Sequence, residues 1–294
     1  VASSKEFDKS RHSANKLSAT TTHCLDYTEM MPSKSGHSQE KRGTPQQYDE
    51  IGEFYEGFKA LPLARFAEQD SFLRLVGNVD GLSVLDLACG TGFYTRSIKR
   101  RGAADTHGID ISAEMVAVAQ VFEQRDPLGI RYEVCDVAEL SCREQPFDVA
   151  TAVYLLNYAE NEGTMRRMCR GVRRNLVPGA WFYVLTQEPD YRFDGPPTDK
   201  YGFRYERLGD GEIGPEVLIT ALLDPPVEFV TRYPHRAVYE KSLREEGFVD
   251  ITWVPLGVSA EGMRWARAQG APDFWNDFLA NPPLTMLRCR AGKM

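Results

Sequence analysis

No stretch of the chain approaches the roughly 18–20 consecutive apolar residues that cross a bilayer, and no secretory leader is recognisable. Neither a membrane partner nor export is expected. The six cysteines form no Cys-x-x-Cys, and several fall in predicted strands or helices. That usage predicts reduced, buried thiols in a cytoplasmic protein. Basic residues are outnumbered, 35 Lys and Arg against 42 Asp and Glu, for a net charge of −7. The balance argues against a general binder of polyanions, nucleic acid included. No His, Cys and acid spacing points to a metal site. Internal repeats and coiled-coil heptads are also missing.

What is present is a chain of 294 residues with 42% hydrophobic content, which suits one large domain, or one domain with an insertion and a tail. Its organising stretch runs from Ser83 to Thr95. Residues 84–88 are an apolar run of the kind covered on both faces in a parallel sheet. Gly90 and Gly92 follow, removing side chains that would hold a ligand away from the main chain. The helix after them offers unpaired N–H groups in its first turn. A dinucleotide fingerprint would place a third glycine three residues after the second; here that position is Thr95. The strand also carries Asp86, which repels a pyrophosphate and attracts a ligand with positive charge.

Taken in order, residues 1–44 are rich in Ser, Thr, Lys and His and read as a disordered or loosely attached extension. The globular part is expected over 45–294. An aromatic segment from Tyr48 precedes a helix that starts at Pro62, buries Leu63, Phe66, Leu73 and Val76, and stops at Gly77. Strands are expected at 84–88, 105–110, 130–135, 147–153 and 181–186. Helices alternate with them at 92–101, after Ser112, and at 164–176, where Pro178-Gly179 marks the end. Alternation of this kind predicts a doubly wound, mostly parallel α/β sheet with ligands outside the carboxyl ends of the strands. Residues 188–236 break the rhythm and read as an inserted antiparallel unit of two or three strands. A helix at 237–246 and strands at 248–254 and 284–290 complete seven strands. The stretch between those last two strands, with Trp265, Phe274 and Trp275, reads as a loop.

Four ordered motifs sharpen the expectation. Asp86-Leu-Ala-Cys-Gly-Thr-Gly92 is followed by Gly108-Ile-Asp110-Ile-Ser, Val134-Cys-Asp136-Val, and Leu176-Val-Pro-Gly179 after a strand at 147–153. Together they resemble class I S-adenosylmethionine (SAM) methyltransferases over roughly residues 48–290. Within that superfamily the chain looks most similar to small-molecule methyltransferases of the toxoflavin-synthase-like kind. The resemblance implies a Rossmann-like fold whose N-terminal helices cover SAM, with Tyr48 and Phe54 or Tyr55 as lid aromatics and Arg65 on the SAM carboxylate.

The cofactor needs a distinct partner for each of its parts. Asp110 is placed to accept the ribose hydroxyls, and Asp136 with the backbone of Val137 the adenine amino group. Asp86, Gly92 and the backbone of Ala88, Cys89 and Gly90 are expected around the methionine end. Ile111 and Met115 are expected against the adenine faces, although Met115 equally suits a helix core. Asn157 is a candidate contact to cofactor or acceptor. If the methyl acceptor is a hydroxyl or carbon acid it needs a general base, and His235 and Tyr154 are the candidates.

The segment after the fourth strand, Val153-Tyr-Leu-Leu-Asn157, lacks the Asp/Asn-Pro-Pro-aromatic run of enzymes that methylate DNA bases. The expectation is therefore a SAM-dependent methyltransferase. It would act on N or O of a small, secondary-metabolite-like acceptor, heteroaromatic ones included, releasing S-adenosyl-L-homocysteine, as a monomer or homodimer. Aromatics of the insertion (Tyr191, Phe193, Tyr201, Phe203, Tyr205) either cap that acceptor or pack the insertion onto the sheet. The competing readings are a SAM-binding regulatory subunit without transfer activity and an NAD-dependent oxidoreductase.

Overall fold

The computed structural model describes residues 55–293. At its centre is β1 (Ser83–Leu87), buried from Val84 onward. It is flanked in parallel by β2 (Asp105–Asp110) and β4 (Phe147–Val153). Side chains alternate along the strand, so Leu85 and Leu87 enter the core on one sheet face and Val84 the core on the other. Asp86 shares the Val84 face by the same alternation. Beyond β2 lies β3 (Arg131–Val134), and beyond β4 lies β5 (Leu176–Gln187). The sheet closes with β10 (Leu284–Ala291) and β9 (Phe248–Pro255), β10 running antiparallel to both neighbours. The order is β3-β2-β1-β4-β5-β10-β9, the doubly wound sheet expected. Strand order reverses between β1 and β4, which opens a crevice at their carboxyl ends.

Helices cover both faces: α3 (Phe93–Lys99), α4 (Ala113–Arg125), α5 (Glu162–Arg174) and α6 (Arg236–Glu245). The Ser112 hydroxyl accepts from the Met115 amide at 3.2 Å and so starts α4 where its sequence places it. Met165, Met168 and Val172 of α5 are buried as their spacing predicts. The end of that helix differs from expectation. Asn175 stops it by donating to the carbonyls of Gly171 and Ser141, and Leu176 opens β5 instead of closing the helix. Pro178-Gly179 sits within the strand: Phe147 pairs with Leu176 and Val149 already with Trp181, so the residues between are accommodated as a bulge.

Before β1, α1 (Tyr55–Phe58) leads to a helix that contains a π turn, Ala64–Glu68, and continues as α2 (Gln69–Val76) up to Gly77. The insertion forms a separate antiparallel sheet of β6 (Phe203–Asp210), β7 (Pro215–Ala221) and β8 (Val227–Arg232). The stretch read as a loop before β10 instead carries two helices, α7 (Ala260–Ala268) and α8 (Asn276–Ala280). Ser259 caps α7, and its own amide donates to the Phe66 carbonyl at 2.7 Å. The Trp275 indole N–H donates to the Gly262 carbonyl at 3.1 Å. The first contact seats α7 on the π turn, and the second ties the start of α8 to α7.

Cys89, Cys169 and Cys289 are buried, Cys135 is half-buried and Cys142 is exposed, all of them free thiols. Burial of every thiol was thus too broad an expectation. Among the described residues no helix is long and apolar enough to cross a membrane. The extension at 1–44, its boundary near 45, Cys24, and the lid aromatics Tyr48 and Phe54 lie outside the described residues, as does the side chain of Tyr55.

Candidate active site

The chain leaves β1 through a turn that only permissive backbone allows. Ala88, Gly90 and Gly92 have φ of 53°, 54° and 79°, in the region where a Cβ is strained. A Cβ on Gly92 would also collide with the Tyr132 hydroxyl. The turn is held from β2. The Gly90 amide donates to Oδ2 of Asp110 at 2.7 Å, and the Ser112 amide donates to Oδ1 of the same carboxylate at 2.9 Å. Asp110 is therefore fixed in place by the backbone of the turn and of the helix start.

Asp86 differs from its expected role. It is 1% exposed, and its two oxygens accept from the hydroxyls of Thr95 and Thr151, each at 2.6 Å. It faces no cavity. Burial, opposed by those two hydroxyls, pushes its carboxyl from 3.8 up to about 6. The acid on β1 thus ties α3 and β4 together beneath the glycine turn. Thr95, which stands where a dinucleotide site has its third glycine, is one of its two donors. Cys89 is likewise enclosed, and burial first, then Asp110 and Asp86, push its thiol up.

Above the turn, the strand ends surround a cleft of about 260 Å³. Ala88 and Gly90 line it after β1, Asp110 and Ile111 after β2, Asp136 and Val137 after β3, and Tyr154 after β4, with Met115 rising from α4. Sequence positions far apart are thus brought to one rim. Oδ1 of Asp136 accepts from the Ala138 amide at 2.8 Å, which orients that carboxylate. The lining fits an adenosine: two oriented carboxylates to accept from hydroxyls and an amino group, between apolar Ile111, Met115 and Val137.

A second, narrower cavity of about 40 Å³ lies between the N-terminal helices and the inserted sheet. Phe58, Phe203, Tyr205 and Phe229 make it aromatic, and Lys59 and Glu68 are its charged members. Glu68 is 2% exposed and accepts from three groups: the Lys59 ammonium at 2.6 Å, the Tyr94 hydroxyl at 2.7 Å and the Tyr154 hydroxyl at 2.7 Å. Among the described residues Tyr154 is the one that lines both cavities. Its φ is 61°, a strained conformation that side-chain-bearing residues adopt chiefly at functional sites. Burial, then Glu68, push its phenol well above the ordinary range, so the hydroxyl stays protonated.

Three expected site residues lie elsewhere. Arg65 is 55% exposed and pairs with Glu261 on α7 at 2.8 Å. The π turn directs it outward, away from both cavities. His235 is exposed at the start of α6 and lines neither cavity. Its place is set by its amide, which donates to the Ile213 carbonyl at 2.8 Å. Asn157 is fully buried and donates to the Thr231 hydroxyl at 2.8 Å, joining β4's exit to the inserted sheet. Cys89 and Gly92 shape the turn without lining the cleft. Of the insertion's aromatics, Phe203 and Tyr205 reach the second cavity, whereas Tyr201 stacks on Trp275 at 5.2 Å. Lys59, Glu68 and Tyr94 were not anticipated. The i→i+5 bonding of the π turn rotates Glu68 inward, and no α-helical periodicity reveals that.

Residues 84–179 match a family model described as a methyltransferase domain, and the sheet order and glycine turn above give the chain a Rossmann-like fold. A ubiquinone biosynthesis O-methyltransferase of Paraburkholderia phymatum is 31% identical over 110 residues, which cover 37% of this chain and 46% of that protein. The chain spans about half the length of the curated relatives it matches. An S-adenosylmethionine-dependent methyltransferase from Mesorhizobium loti superposes with a TM-score of 0.55 at 23% identity, covering 80% of this chain and 100% of that one. The CcbJ methyltransferase from Streptomyces caelestis gives a TM-score of 0.57 at 17% identity, covering 84% and 98%. At these identities the two structures share its fold.

Proposed function

We propose that the protein is a SAM-dependent methyltransferase that delivers a methyl group to N or O of a small-molecule acceptor. The observation that carries this reading is the meeting of two unlike cavities at one residue. A cleft with adenosine-binding chemistry and an aromatic cavity adjoin at Tyr154. SAM, when bound, supplies an electrophilic methyl group on a sulfonium leaving group. The chain supplies the rest. Asp110 receives the ribose hydroxyls, Asp136 and the Val137 backbone receive the adenine amino group, and Ile111 and Met115 enclose the ring. The Ala88 and Gly90 main chain borders the methionine end. The inserted sheet and the π-turn helix exclude water on the acceptor side. Alignment of this kind can remove about 7–11 kcal/mol of barrier. A nicotinamide dinucleotide is the weaker reading, because Asp86 lies beneath the turn where a pyrophosphate would sit and Thr95 stands in place of the third glycine.

The test is incubation with SAM and a mixture of small hydroxyl and amine acceptors, read by mass spectrometry. Formation of S-adenosylhomocysteine together with a product heavier by one methyl group supports the proposal. A folded protein that binds SAM and forms neither would instead be a regulatory subunit, and one that does not bind SAM is no methyltransferase.

A further inference from the structure

The second cavity contains a buried charge system that cofactor binding leaves unused. Lys59 is 7% exposed, and its ammonium is committed to Glu68 and lies 4.6 Å from the Tyr94 ring centre. The other named walls, Phe58, Phe203, Tyr205 and Phe229, carry no charge. No further cation lines this cavity among the described residues, so a phosphate or carboxylate on the acceptor would enter without a counter-charge. Burying such an anion unpaired is strongly unfavourable. The small volume and the aromatic walls select a slim, planar group.

Tyr154 lines both cavities and so stands where they adjoin. Its hydroxyl hydrogen points to Glu68, which leaves the oxygen's lone pairs free to accept from a group arriving beside the cofactor cleft. The Tyr154 amide donates to the Leu185 carbonyl at 2.9 Å, so the residue is held at the junction by its backbone as well.

We infer that the acceptor is an uncharged phenol and that its proton leaves through Tyr154 to Glu68. The phenol O–H donates to Oη of Tyr154. As the phenol oxygen forms its bond to the methyl carbon, the carbon–sulfur bond breaks and its electron pair stays on sulfur. The phenolic proton moves to Oη of Tyr154 while the proton already there moves to Oε2 of Glu68. The products are an aryl methyl ether, a neutral thioether and a protonated Glu68, which then releases its proton to solvent. Tyrosinate is never formed. A hydroxyl oxygen under methylation becomes strongly acidic, and the carboxylate that already accepts from Tyr154 is the sink.

This assignment rests on the proposed transferase activity, and the experiment separates the two. S-adenosylhomocysteine binding to the full chain is measured first, by calorimetry, for the wild type, Tyr154→Phe and Glu68→Gln. Transfer from SAM to p-cresol and to p-hydroxybenzoate is then followed across pH. No S-adenosylhomocysteine binding by the wild type would defeat the transferase reading itself. With binding intact, the expected results are methylation of p-cresol at least tenfold faster than of p-hydroxybenzoate and a kcat lowered about 100-fold or more by Tyr154→Phe, with KM within threefold. Glu68→Gln, which keeps the shape but removes the proton sink, should lower kcat by a similar factor with KM within threefold. Tyr154→Phe keeps the Lys59–Glu68 pair and so tests the relay even if Glu68→Gln fails to fold. Binding without methylation of p-cresol, equal rates for the two phenols, or a Tyr154→Phe kcat within twofold of wild type would each overturn the inference.

Discussion

The amide of Gly90 donates to Oδ2 of Asp110 at 2.7 Å, so the acid that ends β2 also sets the backbone of the turn that ends β1. One carboxylate thereby serves two strands. Removing it loosens the turn and deletes a lining group of the cleft together. Asp105, at the opposite end of β2, only pairs with Arg131 at 2.6 Å on the surface.

Asp86 makes stability depend on pH in an unusual direction. Its carboxyl is raised from 3.8 to about 6 by burial, so the folded chain holds this proton more tightly than the unfolded chain. Stability from this group is therefore fully present below pH 3.8, falls as pH rises to about 6, and is flat above. The cost at neutral pH is on the order of 3 kcal/mol. Asp86→Asn keeps the shape, and the hydroxyls of Thr95 and Thr151 can donate to its oxygen or accept from its nitrogen. Thermal melts across pH should show the variant losing slope in that window and melting higher than wild type at neutral pH. A lower neutral melting temperature with the slope unchanged would contradict this origin.

Tyr132 packs on the glycine turn with its hydroxyl buried and without a hydrogen-bond partner. An unpartnered buried hydroxyl costs about 1–3 kcal/mol. Tyr132→Phe should leave the protein as stable or more stable in denaturant titration. Gly92→Ala combines a φ of 79° with the collision against Tyr132, and should lose more than about 1 kcal/mol. Because the hydroxyl is the nearest of the Tyr132 atoms it meets, the double variant should recover part of that loss. Strict additivity would show that the two positions do not touch.

Arg65 and His235 are predicted to be dispensable. The Arg65–Glu261 pair is solvent-exposed, and exposed pairs contribute at most about 1 kcal/mol. Arg65→Ala should bind S-adenosylhomocysteine within twofold of wild type. His235→Ala should transfer methyl groups at the wild-type rate. A tenfold loss in either would return that residue to the site.

These two residues also mark where sequence reading stops. The strand order was legible, because apolar runs, turn signals and carboxylates at Asp110 and Asp136 recur with the α/β period. Asp86 was legible as an acid at the turn, but its orientation was not. Alternation along β1 puts it on the Val84 face, under the turn, where Thr95 and Thr151 consume it. Arg65 and Glu68 exchanged prospects through one π turn, Ala64–Glu68, which no hydrophobic period announces. The helices α7 and α8 were missed because their contacts, such as Trp275 to Gly262, are tertiary.

The most direct measurement is calorimetric titration of the folded chain with S-adenosylhomocysteine, for wild type, Asp110→Ala and Asp105→Ala. Hydrogen bonds to a charged group are worth about 1.5–3 kcal/mol, so Asp110→Ala should weaken binding by roughly 10- to 150-fold while Asp105→Ala leaves it unchanged. No binding by the wild type, or equal affinities for all three proteins, would contradict the account.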